Sequence, residues 1–199
     1  MIGIIDYGCS NIFAVKNILD SLHIKSKILT DARGIENIDK YILPGVSSFD
    51  SSMKNINSFE NWNDIFEDIT KNKKFLLGIC VGMQLLGIRS EEGNEKGLVL
   101  INDNAKKIIS NLPIPHMGWN NLFINNNSKL LSGIDENSYF YFCHSYCFIN
   151  ASPENAIAYT TYGQRFCSVI NHENIYGVQF HPEKSHKNGE KIFLNFQKL

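Results

Sequence analysis

Lys74-Phe75-Leu76-Leu77-Gly78-Ile79-Cys80-Val81-Gly82-Met83-Gln84-Leu85-Leu86 decides how this chain is read. A short apolar run of strand length passes through Gly-x-Cys-x-Gly into residues that favour a helix, which puts Cys80 at a strand-to-helix turn. Such a turn strains the backbone at its central residue, and small neighbours let two chain segments pass closely there. The sulfur then stands at a helix N-terminus, whose unpaired N–H groups and dipole stabilise negative charge. A lone cysteine behind a strand is ordinarily inert packing; the glycine spacing makes this one a candidate nucleophile.

Outward from that turn, the preceding chain alternates strands with helices. Ile2-Gly3-Ile4-Ile5 reads as a buried first strand, followed by a loop at Asp6 to Ser10 and a helix capped by Ser10 or Asn11. That helix carries Ile12, Val15, Ile18, Leu19 and Leu22 on one face. Further strands are expected at Lys25 to Leu29 and at Lys40 to Leu43, the latter stopped by Pro44-Gly45. Phe59, Trp62, Ile65, Phe66 and Ile69 recur at helical spacing. The alternation predicts an α/β fold with a mostly parallel sheet flanked by helices and a site at the carboxyl ends of the strands.

Beyond Gly93 the pattern changes to short strands, expected near Leu98 to Ile101, Lys106 to Ile109, Leu122 to Ile124, Tyr139 to Ile149, Ala156 to Thr161, Arg165 to Ile170 and Ile175 to Phe180. Asn171 to Asn174 joins the last two as a hairpin, and Glu190 to Leu199 closes the chain as a helix burying Ile192, Phe193 and Phe196. The expected result is a parallel core with added antiparallel strands, in one domain spanning 1–199.

The final strand runs into His181-Pro182-Glu183. Residues two apart in an extended chain point the same way, roughly 6.6 Å apart, so the carboxylate can orient the imidazole. Cysteine, histidine and carboxylate then form a triad in the order Cys80, His181, Glu183. His-x-Glu also occurs in zinc deaminases, which need a later Pro-Cys-x-x-Cys that does not follow here. Cys143, His144 and Cys147 are poor metal ligands together, because on a strand His144 points away from the two cysteines.

Composition excludes several classes. With 199 residues, 43% of them hydrophobic, and a net charge of −1, the chain can bury a full core and carries no basic run for nucleic acid or acidic membranes. No apolar run approaches membrane-spanning length, and five scattered cysteines fit a reducing, cytoplasmic setting.

These motifs resemble the class I glutamine amidotransferases and, more narrowly, the glutaminase subunits of imidazole glycerol phosphate synthase. The narrower likeness rests on Ile5-Asp6-Tyr7-Gly8 with Asn11, Leu43-Pro44-Gly45-Val46, Pro115-His116-Met117-Gly118-Trp119-Asn120, Tyr141 to Tyr146, and Gly177 to Ser185. It spans essentially the whole chain. The resemblance implies a flavodoxin-like fold in which Cys80 attacks the carboxamide of glutamine, giving ammonia and a glutamyl thioester that water hydrolyses. His181 would move protons and Glu183 would hold it. Gly45, Val46 and Val81 would surround the oxyanion; Gln84, Glu92, Ser145 and Tyr146 would bind glutamine. Asn11, Met117, Trp119 and Lys184 would meet a separate βα-barrel cyclase in a heterodimer that receives the ammonia, with no cofactor or metal. Ser10, Ser47, Asp50, Val99 and Asn102-Asp103 depart from the family pattern, and the ammonia acceptor stays open between histidine biosynthesis and a paralogous route such as amidination of a surface-polysaccharide sugar.

Overall fold

The computed structural model describes residues 1–199. The first half contains β1 (Ile2–Ile5), α1 (Ile12–Ser21), β2 (Ser26–Leu29), β3 (Lys40–Gly45), α2 (Phe49–Asn57), α3 (Trp62–Thr70), β4 (Phe75–Cys80) and α4 (Val81–Leu85). The second contains β5 (Ala105–Lys107), β6 (His116–Asn121), β7 (Phe123–Ile124), β8 (Tyr139–His144), β9 (Tyr146–Phe148), β10 (Ala156–Tyr162), β11 (Gln164–His172), β12 (Ile175–Val178) and α5 (His186–Lys198).

Ten strands share one sheet with the main order β2-β1-β3-β4-β12-β11-β10-β7, and β9 joins it by pairing with β11 and β5. The β2, β1, β3, β4 and β12 segment is parallel; β11, β10 and β7 continue it antiparallel. β6 and β8 form a separate two-stranded antiparallel sheet, His116 opposite His144 and Trp119 opposite Tyr141. The parallel strands are buried on both faces, as their unbroken apolar runs require. The helices close the core with narrow apolar stripes: Ile12, Val15 and Leu19 from α1; Ile65 and Ile69 from α3; Ile192, Phe193 and Phe196 from α5.

Several expectations need correction. β3 runs through Pro44 to Gly45. Its ladder with β1 ends at Ile4 opposite Ile42, so Pro44 is paired on the β4 side alone, where a strand tolerates a proline. Helix α2 was absent from the sequence reading although Phe49, Met53 and Ile56 repeat at helical spacing, because its serines and asparagines are weak helix formers. The long strand expected over Tyr139 to Ile149 breaks at Ser145 into β8 and β9, which belong to different sheets. Leu98 to Ile101 is no strand. Its N–H groups turn back onto the end of α4, Leu98 donating to the Leu85 carbonyl and Leu100 and Ile101 to that of Leu86. These bonds satisfy carbonyls left free at the helix end. Val99 takes a φ of +56° there, unusual for a β-branched residue. No helix is long and apolar enough to cross a membrane.

Candidate active site at the carboxyl ends of the strands

The parallel strands deliver their loops to one edge, and Cys80 is the last residue of β4. Its backbone lies at φ +55°, ψ −113°, a conformation a side chain rarely takes, and the sulfur is buried. The glycines explain how the turn fits. A Cβ on Gly82 would come within 1.8 Å of the Leu43 carbonyl oxygen, and one on Gly78 within 2.6 Å of that of Gly82. The elbow therefore packs against β3 with no room for another atom.

β12 runs beside β4, with Val178 opposite Ile79, so the chain leaving β12 reaches the same edge. His181 and Glu183 follow, not in extended chain as expected but across a 3-10 turn over Pro182–Lys184. Pro182 sits at the first position of that turn, where its missing N–H is harmless. The predicted contact forms: His181 Nδ1 lies 2.8 Å from Glu183 Oε1, both side chains almost fully buried. Glu183 Oε2 is buried without a donor, so the carboxylate depends on the imidazole for compensation. Burial disfavours a charged imidazole, but the Cys80 sulfur, a charge and hydrogen-bond partner, and Glu183 outweigh it and push the His181 pKa up to about 10. The arrangement favours the charged, imidazolium form of His181. The His181 backbone is pinned as well, its N–H donating to the Tyr141 carbonyl and its carbonyl accepting from Ser185 Oγ.

A cleft of about 280 Å³ opens in front of the sulfur, lined by Val46, Ser47, Ser48, Cys80, Val81, Gln84, Glu92, Pro115 and Cys143 to Tyr146. Glu92, Gln84, Ser145 and Tyr146 thus share one cavity with Cys80. Their bonds differ from the expectation of free binding groups. Gln84 spends both N–H bonds inside the protein, on the Tyr146 carbonyl at 2.8 Å and on Gln179 Oε1 at 3.2 Å, leaving its oxygen as the group free to bind. Glu92 Oε2 accepts the Phe49 N–H at 2.8 Å, tying its loop to the start of α2. Asp50 reinforces that tie by accepting from the N–H groups of Asn94 and Glu95.

The candidate oxyanion donors are unequal. Val81 is the first residue of α4, so its N–H has no intrahelical acceptor. The Val46 N–H instead donates to the Cys9 carbonyl at 3.2 Å, and in this conformation it is not offered to the cleft. Gly45 has no positive φ; its lack of a side chain serves close packing against Gly82 N, the Tyr7 hydroxyl and Val81. Tyr7 donates to the Pro44 carbonyl at 2.7 Å, and Ser47 Oγ lies 2.9 Å from buried Ser52 Oγ, so hydroxyls on both sides hold this segment.

Met117 (61% exposed) and Trp119 (47%) lie on the outer face of β6, Trp119 stacked 5.1 Å from His186, with Lys184 over the Tyr141 ring. Asn11 caps α1 by accepting from the Ala14 N–H. His144 is buried against His116 and lines the back of the cleft together with Cys143. The sequence reading missed His116 and Gln179 as site-forming residues; both lay inside quoted motifs, but only the fold shows what they touch.

The Cys80 elbow and the buried His181–Glu183 pair, beside a small polar cleft in an α/β sheet, fit the class of thiol-dependent amide hydrolases. The glutamine amidotransferase class-I family model matches residues 3–199, and the chain belongs to that family. It is 45% identical to an imidazole glycerol phosphate synthase subunit HisH 2 of Methanococcus maripaludis, covering 100% of this chain and 99% of that one. It is 40% identical to the protein of the same name from Pseudomonas aeruginosa, over the full length of both. A crystal structure of a glutamine amidotransferase shares the fold at a TM-score of 0.77 and 15% identity, covering 100% of this chain and 99% of the other.

Proposed function

We propose that the chain is the glutaminase subunit of an imidazole glycerol phosphate synthase, hydrolysing L-glutamine to glutamate and ammonia for histidine biosynthesis. The observation that carries the reading is the Cys80 elbow facing the His181–Glu183 pair at one end of the Gln84 and Glu92 cleft, in a chain 40–45% identical to HisH subunits. Cys80 attacks the glutamine carboxamide, and the oxyanion develops beside the Val81 N–H. His181 gives its proton to the leaving ammonia, and water then attacks the glutamyl thioester with His181 as base. Glu92 and the Gln84 oxygen offer the acceptors that the ammonium group of glutamine requires. The 199 residues act as one cytoplasmic glutaminase domain without metal or cofactor.

The ammonia passes to a cyclase subunit docked against Met117, Trp119, Asn11 and Lys184, where exposed aromatic and apolar side chains gather beside a cation. The test is glutamate release by the purified chain, alone and with the histidine-pathway cyclase of the same source and its ribonucleotide substrate. Stimulation with formation of imidazole glycerol phosphate is expected, and Cys80→Ala should lose glutamate release while still binding the cyclase. Substantial hydrolysis by that variant removes Cys80 as nucleophile; hydrolysis indifferent to the cyclase assigns the ammonia to another acceptor.

A further inference from the structure

Behind the cleft runs a line of hydrogen bonds whose direction can be assigned. His144 Nδ1 lies 3.0 Å from the Tyr146 carbonyl oxygen, which only accepts, so His144 carries its proton on Nδ1. Its Nε2 is then an acceptor, and His116 Nδ1, 3.1 Å away, donates to it. His116 Nε2 faces the Asn120 amide nitrogen at 3.5 Å, and that amide is oriented by donating to the Thr161 carbonyl and accepting from the Asn121 N–H. Burial keeps both rings uncharged, pushing His116 down to about 4 and His144 to about 3. The His116 ring is held flat as well, stacked 4.0 Å from Tyr162 and 4.8 Å from Phe142, while Phe166 packs edge-to-face with His144 at 5.0 Å.

The line continues through the Tyr146 carbonyl, which also accepts from Gln84 Nε2. The second Gln84 N–H goes to Gln179 Oε1, and Gln179 Nε2 lies 3.7 Å from Cys80 Sγ. Gln179 is fully buried and has no other polar duty among its side-chain bonds.

We propose that His116, His144 and Gln179 are positioning residues for the glutaminase reaction: the histidine pair fixes the Tyr146 carbonyl, that carbonyl fixes the Gln84 amide with its oxygen to the cleft, and Gln179 passes the alignment to the nucleophile as a donor to sulfur. The inference rests on the glutaminase reading. A rotated Gln84 would offer N–H groups where the glutamine ammonium needs an acceptor, so the histidine end governs substrate binding. An N–H aimed at sulfur strengthens when the sulfur carries charge, so the Gln179 end governs the chemistry.

The experiment compares Gln179→Met, His144→Leu and His144→Asn with the parent chain, each complexed with the cyclase. It measures kcat and KM for glutamine and, separately, alkylation of Cys80 by iodoacetamide at pH 7 without glutamine. Loss of one charge-assisted hydrogen bond corresponds to about tenfold. Gln179→Met should lower kcat and the alkylation rate by about that factor while KM stays within about twofold. His144→Leu should raise KM by about tenfold and leave alkylation unchanged. His144→Asn keeps an N–H at the Nδ1 position and should return KM to within about threefold of the parent. Folded variants with both constants near parental, or an asparagine variant no better than the leucine one, overturn the proposal. A parent complex that releases no glutamate removes the glutaminase reading instead, and the alkylation rates still decide the contact between Gln179 and Cys80.

Discussion

The two walls of the cleft hold their groups by different means. On the β4–α4 and β12 side, main chain does the holding: Cys80 sits at a positive φ on an elbow with no free volume, and the His181 backbone is bonded at both its N–H and its carbonyl. On the β8–β9 side, side chains do it, through the line from Asn120 to Gln84. Main-chain positioning is stiff and fails as a whole, because one added atom displaces a strand. Side-chain positioning is graded, because each hydrogen bond contributes about 1 kcal/mol and can be replaced by another donor. Cys80 and His181 thus rest on the stiff wall, while the Gln84 amide, itself on α4, takes its orientation from the Tyr146 carbonyl of the adjustable one.

The comparison breaks most sharply at Gly82. Gly82→Ala places a methyl group 1.8 Å from the Leu43 carbonyl, against backbone that cannot yield. Unfolding in urea should show a loss of about 4 kcal/mol or more together with loss of activity; a stable, active variant would mean the elbow is loose. His181→Ala tests the same wall without touching its backbone; glutaminase activity should fall by about 10²- to 10⁴-fold, and the unfolding midpoint should fall as well, because the buried Glu183 carboxylate loses its partner. A near-parental rate would identify another base. The smallest effect belongs to Asp68, which lies outside both walls and accepts from Lys74, Tyr41 and Asn72. Burial alone would raise its carboxyl pKa, and those three partners outweigh it and hold the group below the ordinary carboxylate range. Its contribution is therefore present above about pH 4 and lost as pH falls through the depressed value. Asp68→Asn should cost about 1–2 kcal/mol at pH 7, converge with the parent in acid, and leave kcat unchanged. A variant whose deficit grows in acid contradicts the sign.

The stiff wall was also the legible one. Parallel strands buried on both faces write themselves as apolar runs, and an elbow needs its glycines at fixed offsets, so β1, β4, Cys80 and the His181–Glu183 pair were readable from residue order. What escaped depended on contacts distant in sequence. The N–H groups of residues 98–101 found acceptors on Leu85, Leu86 and Gly87, at and just past the end of α4, instead of in a ladder, and α2 hid behind polar residues. Gln84 and Glu92 were placed in the right cavity, but the bonds they make inside the protein were invisible. His116 and Gln179 reach their partners across separations of 28 and 95–99 residues, which no local pattern records.

The interruption at Ser145 has a mechanical meaning. Residues 139–148 begin in the small sheet as β8 and end in the large one as β9, so a single stretch of chain stitches the two sheets together across the cleft. Such a stitch acts as a gauge: the offset between the two sheets is set by covalent bonds, and the sheets cannot swing apart like the halves of a clamp. Val46 and Pro115, both exposed, line the cleft on the solvent side of that stitch.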